Sequence, residues 1–149
     1  MKFKINYKVG SILTATEPLI VQQCNAQLVM GSGVAKVIRD AYPQVYEDYK
    51  NFFELIPKQK RMGMVQYTEV ARGRIICNLI GQYHYLPRGV RHTSYDALEE
   101  GLQQLKNDIE GDIAMPRIGC GLGGGDWHIV SAIIESVFDD RNIIVYDLE

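Results

Sequence analysis

The sequence predicts an α/β fold with a mixed sheet covered by helices on both faces. Three observations carry that expectation. Apolar residues switch between a period of two and a period of 3.6 several times along the chain. Strand-like runs alternate with helix-like runs, as a parallel sheet with helical crossovers requires. Two adjacent strand-like runs flank Arg72-Gly73, which adds one hairpin and makes the sheet mixed.

Phe3, Ile5, Tyr7 and Val9 alternate with Lys4, Asn6 and Lys8, the pattern of a half-buried strand that ends at Gly10-Ser11. A second strand starts at Leu19-Ile20-Val21 and ends near Cys24-Asn25. Val34, Val37, Ile38 and Ala41 then recur at helical spacing, and Pro43 separates that helix from another. Val45, Tyr49, Phe52 and Phe53 share the inner face of the second helix, which Pro57 closes. Met64 to Val70 and Arg74 to Ile80 form the hairpin. After the polar and aromatic stretch from Gly81 to His92, Thr93 with Asp96 three residues on reads as a capping box. The helix behind it carries Leu98, Leu102, Leu105 and Ile109 on one stripe. Ile113-Ala114-Met115 is a short buried strand stopped by Pro116. Asp126 can cap the last helix, whose inner face is Val130, Ile133, Ile134 and Val137, and Ile143 to Leu148 is the closing strand.

The chain of 149 residues has the size of one ordinary domain, residues 1–149, with 46% hydrophobic and 23% charged residues. That composition excludes a disordered or collagen-like chain. Sixteen Lys and Arg against eighteen Asp and Glu leave a net charge of −2. A general nucleic-acid coater needs a basic surface, so none is expected. Cys24, Cys77 and Cys120 are far apart and form no CxxC pair, so neither a zinc site nor a disulfide framework is expected. Three free thiols fit a reducing, cytoplasmic setting. The first eight residues have no continuous apolar segment, and no run approaches the ~20 apolar residues of a membrane span. No metal, cofactor or membrane contact is expected, and the chain is expected to be a monomer.

The chemistry gathers in two loops. Asn25-Ala26-Gln27-Leu28-Val29-Met30-Gly31-Ser32-Gly33-Val34-Ala35 follows a strand and opens a helix. Pro116-Arg117-Ile118-Gly119-Cys120-Gly121-Leu122-Gly123-Gly124-Gly125-Asp126-Trp127 does the same, and it holds five of the fourteen glycines. A lone glycine loop often marks only a turn. Two strand-loop-helix junctions with bare amides and helix N-termini suit a pyrophosphate, and such a cradle needs no basic side chain. Gly31-Ser32-Gly33 is followed by Lys36 where a dinucleotide fingerprint has its third small residue, and no GxxxxGK[ST] occurs.

Cys24-Asn25, Met30-Gly31-Ser32-Gly33-Val34-Ala35 and Tyr42-Pro43 with Tyr46 and Tyr49 resemble the first ligand loop and helix of macro domains. Met115-Pro116-Arg117-Ile118-Gly119-Cys120-Gly121-Leu122, followed by Asp126-Trp127, resembles their second phosphate loop. Asn78-Leu79-Ile80-Gly81-Gln82 and Val145-Tyr146-Asp147-Leu148 extend the likeness over nearly the whole chain. Its nearest branch holds a yeast ADP-ribose-1''-phosphate phosphatase, a terminal ADP-ribose glutamyl hydrolase and DNA ADP-ribosyl glycohydrolase antitoxins.

The resemblance implies a three-layer α/β/α sandwich with a mixed sheet of about six strands and a cleft for ADP-ribose or ADP-ribose 1''-phosphate. It puts Gly31, Ser32, Gly33 and Val34 on one side of the pyrophosphate, and Gly119, Cys120, Gly121, Leu122 and Gly123 on the other. It puts Asn25 by the distal ribose, Tyr146 by the adenine, and the Ile12 amide nearby. Ser11 stands where many members carry an aspartate for the adenine amino group. Gln82 stands where the linkage-cleaving members of this branch carry a lysine, and Gly123 where the glutamyl hydrolase carries an aspartate. An amide is neither nucleophile nor base, so a lysine-type mechanism is not expected.

Asp126 remains as a candidate to activate water, with a helix cap as its bland alternative. His84, in the stretch after Gln82 with Tyr83, Tyr85, Arg88, Arg91 and His92, is the other catalytic candidate. Cys120 has no activating neighbour in the sequence and reads as a passive small residue. The leading expectation is an ADP-ribose-binding domain that hydrolyses ADP-ribose 1''-phosphate. The competing ones are a non-catalytic reader, a lysine-independent hydrolase of ADP-ribosylated macromolecules, and a nucleic-acid reader using Lys58, Lys60 and Arg61.

Overall fold

A computed structural model of the chain describes residues 5–148. Six strands, β1 (Ile5–Val9), β2 (Leu19–Asn25), β3 (Val65–Ala71), β4 (Arg74–Gln82), β5 (Ile113–Met115) and β6 (Ile143–Asp147), form one sheet in the order β1-β6-β5-β2-β4-β3. All neighbours are parallel except β3 and β4, the hairpin turned at Arg72-Gly73. The four α-helices are α1 (Gly33–Ala41), α2 (Pro43–Phe53), α3 (Tyr95–Asp108) and α4 (Trp127–Val137).

Two separate cores flank the sheet. Leu98, Leu102 and Leu105 of α3 pack with Val130, Ile134 and Val137 of α4 against Val21, Leu79, Met115 and Val145. Ile38 of α1 and Val45, Tyr49 and Phe53 of α2 pack against Ile20, Cys24, Ile76 and Ile80 on the other face. The mixed sheet covered on both faces is therefore the observed architecture, with three layers.

Several local expectations are corrected. The helix cap assigned to Thr93 belongs to Ser94, whose Oγ accepts from the Ala97 amide at 3.2 Å. Thr93 instead forms a β-bridge with Gln82. Phe52 and Val37 are largely exposed, because helices lying on a sheet bury a stripe narrower than their apolar sequence. Strand β1 is less buried than its alternation implies: Tyr7 and Val9 are exposed, since the strand sits at the sheet edge and pairs only with β6. Phe3 lies outside the described residues. The closing strand ends at Asp147, one residue before Leu148.

Candidate functional site

The strands β2, β4, β5 and β6 run parallel, so their C-terminal ends meet on one side of the sheet. Adjacent strands β2 and β5 then send their chains to opposite faces: β2 leads into α1 in one core and β5 into α4 in the other. A crevice opens where two neighbouring connections diverge in this way. Here it is a cleft of about 630 Å³, within the usual range of small-molecule sites.

The first glycine loop forms one wall through Gly31, Ser32, Gly33, Val34 and Ala35. Its shape is set by Asn25. The Asn25 Oδ1 accepts from the Gln27 and Val29 amides at 3.1 and 3.2 Å, and its Nδ2 donates to the Val29 carbonyl at 2.8 Å. Leu28 is held at φ 66, an uncommon conformation for a side-chain-bearing residue. Gly33 opens α1 at φ 62, where a Cβ would be strained. The N-cap residue of α1, Ser32, makes no side-chain capping bond. The helices of the other core, α3 and α4, are by contrast capped by the side chains of Ser94 and Asp126. The first-turn amides of α1 are thus left for a ligand, and an anion is the ligand they suit.

The second loop forms the facing wall through Pro116, Arg117, Ile118, Gly119, Gly121, Leu122 and Gly123. It is a compact coil held by its own carbonyls: the Gly125 amide donates to the Gly119 carbonyl at 2.8 Å and the Gly124 amide to that of Gly121 at 3.1 Å. The amides of Gly121, Leu122 and Gly123 find no acceptor among the described residues. Residues bearing two sets of open amides therefore line one cleft, one set from each glycine loop.

The remaining wall comes from the strand ends and the stretch after β4. Gln22, Gln23, Cys24, Asn25 and Gln82 line the floor; Tyr85, Leu86 and Arg88 line one end; Tyr146, Asp147 and Leu148 line another. The Tyr146 hydroxyl donates to the carboxylate of buried Glu17 at 2.8 Å, and burial, with that bond behind it, raises its pKa. Arg117 and Asp147 form a two-pronged pair at 2.8 and 3.0 Å. The Arg117 hydrogen bond holds the Asp147 carboxyl below the usual carboxylate range. Arg88 has no acidic partner among the described residues.

Of the residues singled out in the sequence, the cleft lining collects Asn25, Gly31, Ser32, Gly33, Val34, Gln82, Gly119, Gly121, Leu122, Gly123 and Tyr146. Five stand apart from it. The Ser11 Oγ accepts from the Leu13 amide at 3.2 Å, which caps a short 3-10 turn, and Ile12 is buried in the core of α1 and α2. The Cys120 thiol donates to the Ile118 carbonyl, and burial pushes its pKa up to about 11. Asp126 is spent on α4, where its Oδ1 accepts from the His128 amide at 2.8 Å. The His84 Nδ1 accepts from the Tyr85 and Leu86 amides at 2.9 and 3.1 Å and holds a surface turn. Burial also raises the Cys24 and Cys77 thiols well above their ordinary values.

Tyr85 and Arg88, named in the sequence as part of the stretch after Gln82, also line the cleft, whereas sequence reasoning missed Gln22, Gln23 and Leu86. Nothing about a glutamine inside an apolar strand marks it as functional; the one available signal was two polar residues interrupting β2.

A family model described as Macro domain matches residues 21–134. The chain is 33% identical over 153 residues to the protein named ADP-ribose glycohydrolase OARD1 of Bos taurus, covering 97% of this chain and 92% of that one. The macrodomain of Mycobacterium tuberculosis DarG superposes with a TM-score of 0.81 at 22% identity, over 97% of this chain and 98% of that one. Thermosipho africanus DarTG, solved in complex with ADP-ribose, matches with a TM-score of 0.76 at 19% identity, over all of this chain and 43% of that one.

Proposed function

Because this chain belongs to the macro domain family, we propose that its cleft binds ADP-ribose, with the pyrophosphate between Gly31–Val34 and Gly119–Gly123. One observation carries this reading: the uncapped start of α1 and the residues bearing free amides, Gly121, Leu122 and Gly123, line the same cleft. Amides and helix dipoles bind a diphosphate without lysine or arginine, in keeping with the acidic chain. Tyr146 offers an aromatic surface at one end of the cleft for the base.

Chemistry at this site is a separate matter. Gln82 is consumed structurally, since its Oε1 accepts from the Gln23 Nε2 at 2.7 Å and its Nε2 donates to the His84 carbonyl at 2.8 Å. Asp126 and His84 lie outside the cleft lining. Asp147, the carboxylate in the lining, is paired with Arg117. These placements support a reader of ADP-ribose over a hydrolase of ADP-ribose 1''-phosphate. A second reading, hydrolysis of an ADP-ribosyl linkage without lysine, is supported by the activity that the bovine relative's name states.

Calorimetry with ADP-ribose tests the first reading. The expected Kd is micromolar, on the order of −7 to −8 kcal/mol, and no heat at millimolar ligand overturns it. A turnover panel then separates the classes. Binding without release from ADP-ribose 1''-phosphate, glutamyl-linked protein or thymidine-linked DNA is the expected result. Phosphate release from the first substrate would establish the phosphatase, and release of ADP-ribose from either of the others would establish the second reading.

A further inference from the structure

Gln23 of β2 lines the cleft and sits between Gln82 and Thr93, which bracket the stretch after β4. Its Nε2 donates to the Gln82 Oε1 at 2.7 Å and to the Thr93 Oγ1 at 2.8 Å. Thr93 in turn donates to the Gly119 carbonyl at 2.7 Å, and Gln82 donates to the His84 carbonyl at 2.8 Å. Both ends of this chain are main-chain carbonyls, which only accept. That fixes every direction between them. Gln82 must turn its nitrogen to His84 and its oxygen to Gln23. Thr93 must spend its proton on Gly119 and accept at its oxygen. The residue between them must supply two hydrogens from one atom, which the amide nitrogen of Gln23 does.

Space around Gln23 is equally constrained. A Cβ on Gly81 would lie 2.2 Å from the Gln23 Oε1, and one on Gly119 would lie 3.0 Å from it. A Cβ on Gly123 would come within 2.9 Å of the Gln23 Nε2 and 2.4 Å of the Thr93 Oγ1. The three glycines leave room for the glutamine, which explains Gly123 independently of any ligand. The amides of His92 and Thr93 complete the tie by donating to the Gly123 carbonyl at 2.8 and 3.0 Å.

We propose that Gln23 is a positioning residue: from β2 it pins Gln82 and Thr93, which bracket the stretch after β4, and so holds Thr93 and His92 where they bond the Gly119 and Gly123 carbonyls, so that loop 119–123 and the wall bearing Tyr85, Leu86 and Arg88 hold a ligand as one unit. The proposal rests on the ADP-ribose reading for its ligand, but the lock itself belongs to the unliganded protein. Glutamate keeps the shape and supplies no hydrogen; methionine keeps the length and supplies neither hydrogen nor charge. Either substitution removes both bonds of the Gln23 Nε2 and leaves Thr93 and His92 to hold the second loop without that support.

Hydrogen exchange on the free protein and ADP-ribose titration test this together. In Gln23→Met, the hydrogen-bonded amides of Cys120, Gly124 and Gly125 in one segment and of His92 and Thr93 in the other are expected to exchange at least tenfold faster than in the wild type, with the thermal midpoint of the whole domain little changed. ADP-ribose affinity is expected to fall about tenfold. Thr93→Val should reproduce both effects, Thr93→Ser should restore them, and Gln23→Met with Thr93→Val should be no worse than either alone. Unchanged exchange in both segments of Gln23→Met overturns the lock, whatever the ligand does. Faster exchange in only one segment also overturns it, since the two would then be independent. A wild type that fails to bind ADP-ribose overturns the functional reading and leaves the exchange result to decide the lock.

Discussion

Leu122 reaches across the cleft toward Gly33: a Cβ on Gly33 would sit 3.7 Å from the Leu122 Cδ1. Leu122 lies in the middle of the loop after β5 and Gly33 opens α1, so the two glycine loops approach each other above the strand ends. Leu122 is half exposed, with its apolar side chain spread over the site instead of packed in either core. The two loops therefore come close together across the cleft at this point.

Charge placed in that cleft should abolish binding. Gly121 has open space at its Cβ position and no positive φ, so Gly121→Glu introduces a carboxylate without steric strain in the loop. ADP-ribose affinity is expected to fall below detection while the circular dichroism spectrum and thermal midpoint stay near wild type. Gly33→Glu should also lose binding, with an added loss of stability because Gly33 sits at φ 62. Retained micromolar affinity in folded Gly121→Glu would falsify the pyrophosphate placement.

Asp126 should behave as a cap. Asp126→Ala is expected to lower stability by about 0.5–2 kcal/mol, the usual worth of an N-cap, read by denaturant titration. Asp126→Asn should cost little, because asparagine caps equally well. Neither variant is expected to change ADP-ribose affinity or any turnover. A fall in turnover for Asp126→Asn at unchanged stability would return Asp126 to the chemistry.

The Arg117–Asp147 pair gives an acid-side signature. Its hydrogen bond lowers the Asp147 pKa in the folded state. The linked stability is therefore present above the ordinary carboxylate value and is lost as pH falls through the lowered one. Both side chains are about a third or more exposed, so screening keeps the contribution to about 0.2–1 kcal/mol. Carboxyl NMR titration of Asp147 should show the lowered midpoint in the wild type and a rise toward the ordinary value in Arg117→Gln. An unmoved midpoint means the pair does not hold in solution.

The thiols should be inert in the native protein. Burial raises all three, and Cys120 to about 11, so little thiolate exists near neutrality. Iodoacetamide near neutral pH, below the raised value of each thiol, is expected to label the native chain slowly and the unfolded chain quickly. Cys120→Ala should bind ADP-ribose as the wild type does. Rapid labelling of native Cys120 would mark it as an activated nucleophile.

The sequence by itself determined the element order, the hairpin at Arg72-Gly73, the cap at Asp126 and the two glycine loops, because each is written in local chemistry: a period, a turn residue, a capping oxygen, a cluster of residues without Cβ. Even there it misread Thr93 for Ser94, since neighbouring hydroxyls compete for one cap and only the bridge to Gln82 removes the first. The tertiary structure alone decided what the loops enclose. Whether the helices after β2 and β5 fall on opposite faces of the sheet is a property of the whole topology, and it is what opens the cleft between Gly33 and Leu122. The fate of Gln82 was decided the same way: a polar side chain is available for chemistry only if no nearer partner claims it, and its partner Gln23 comes from a strand that meets β4 only when the sheet forms. Asp126 and His84 are claimed locally, by the His128 amide and by the Tyr85 and Leu86 amides.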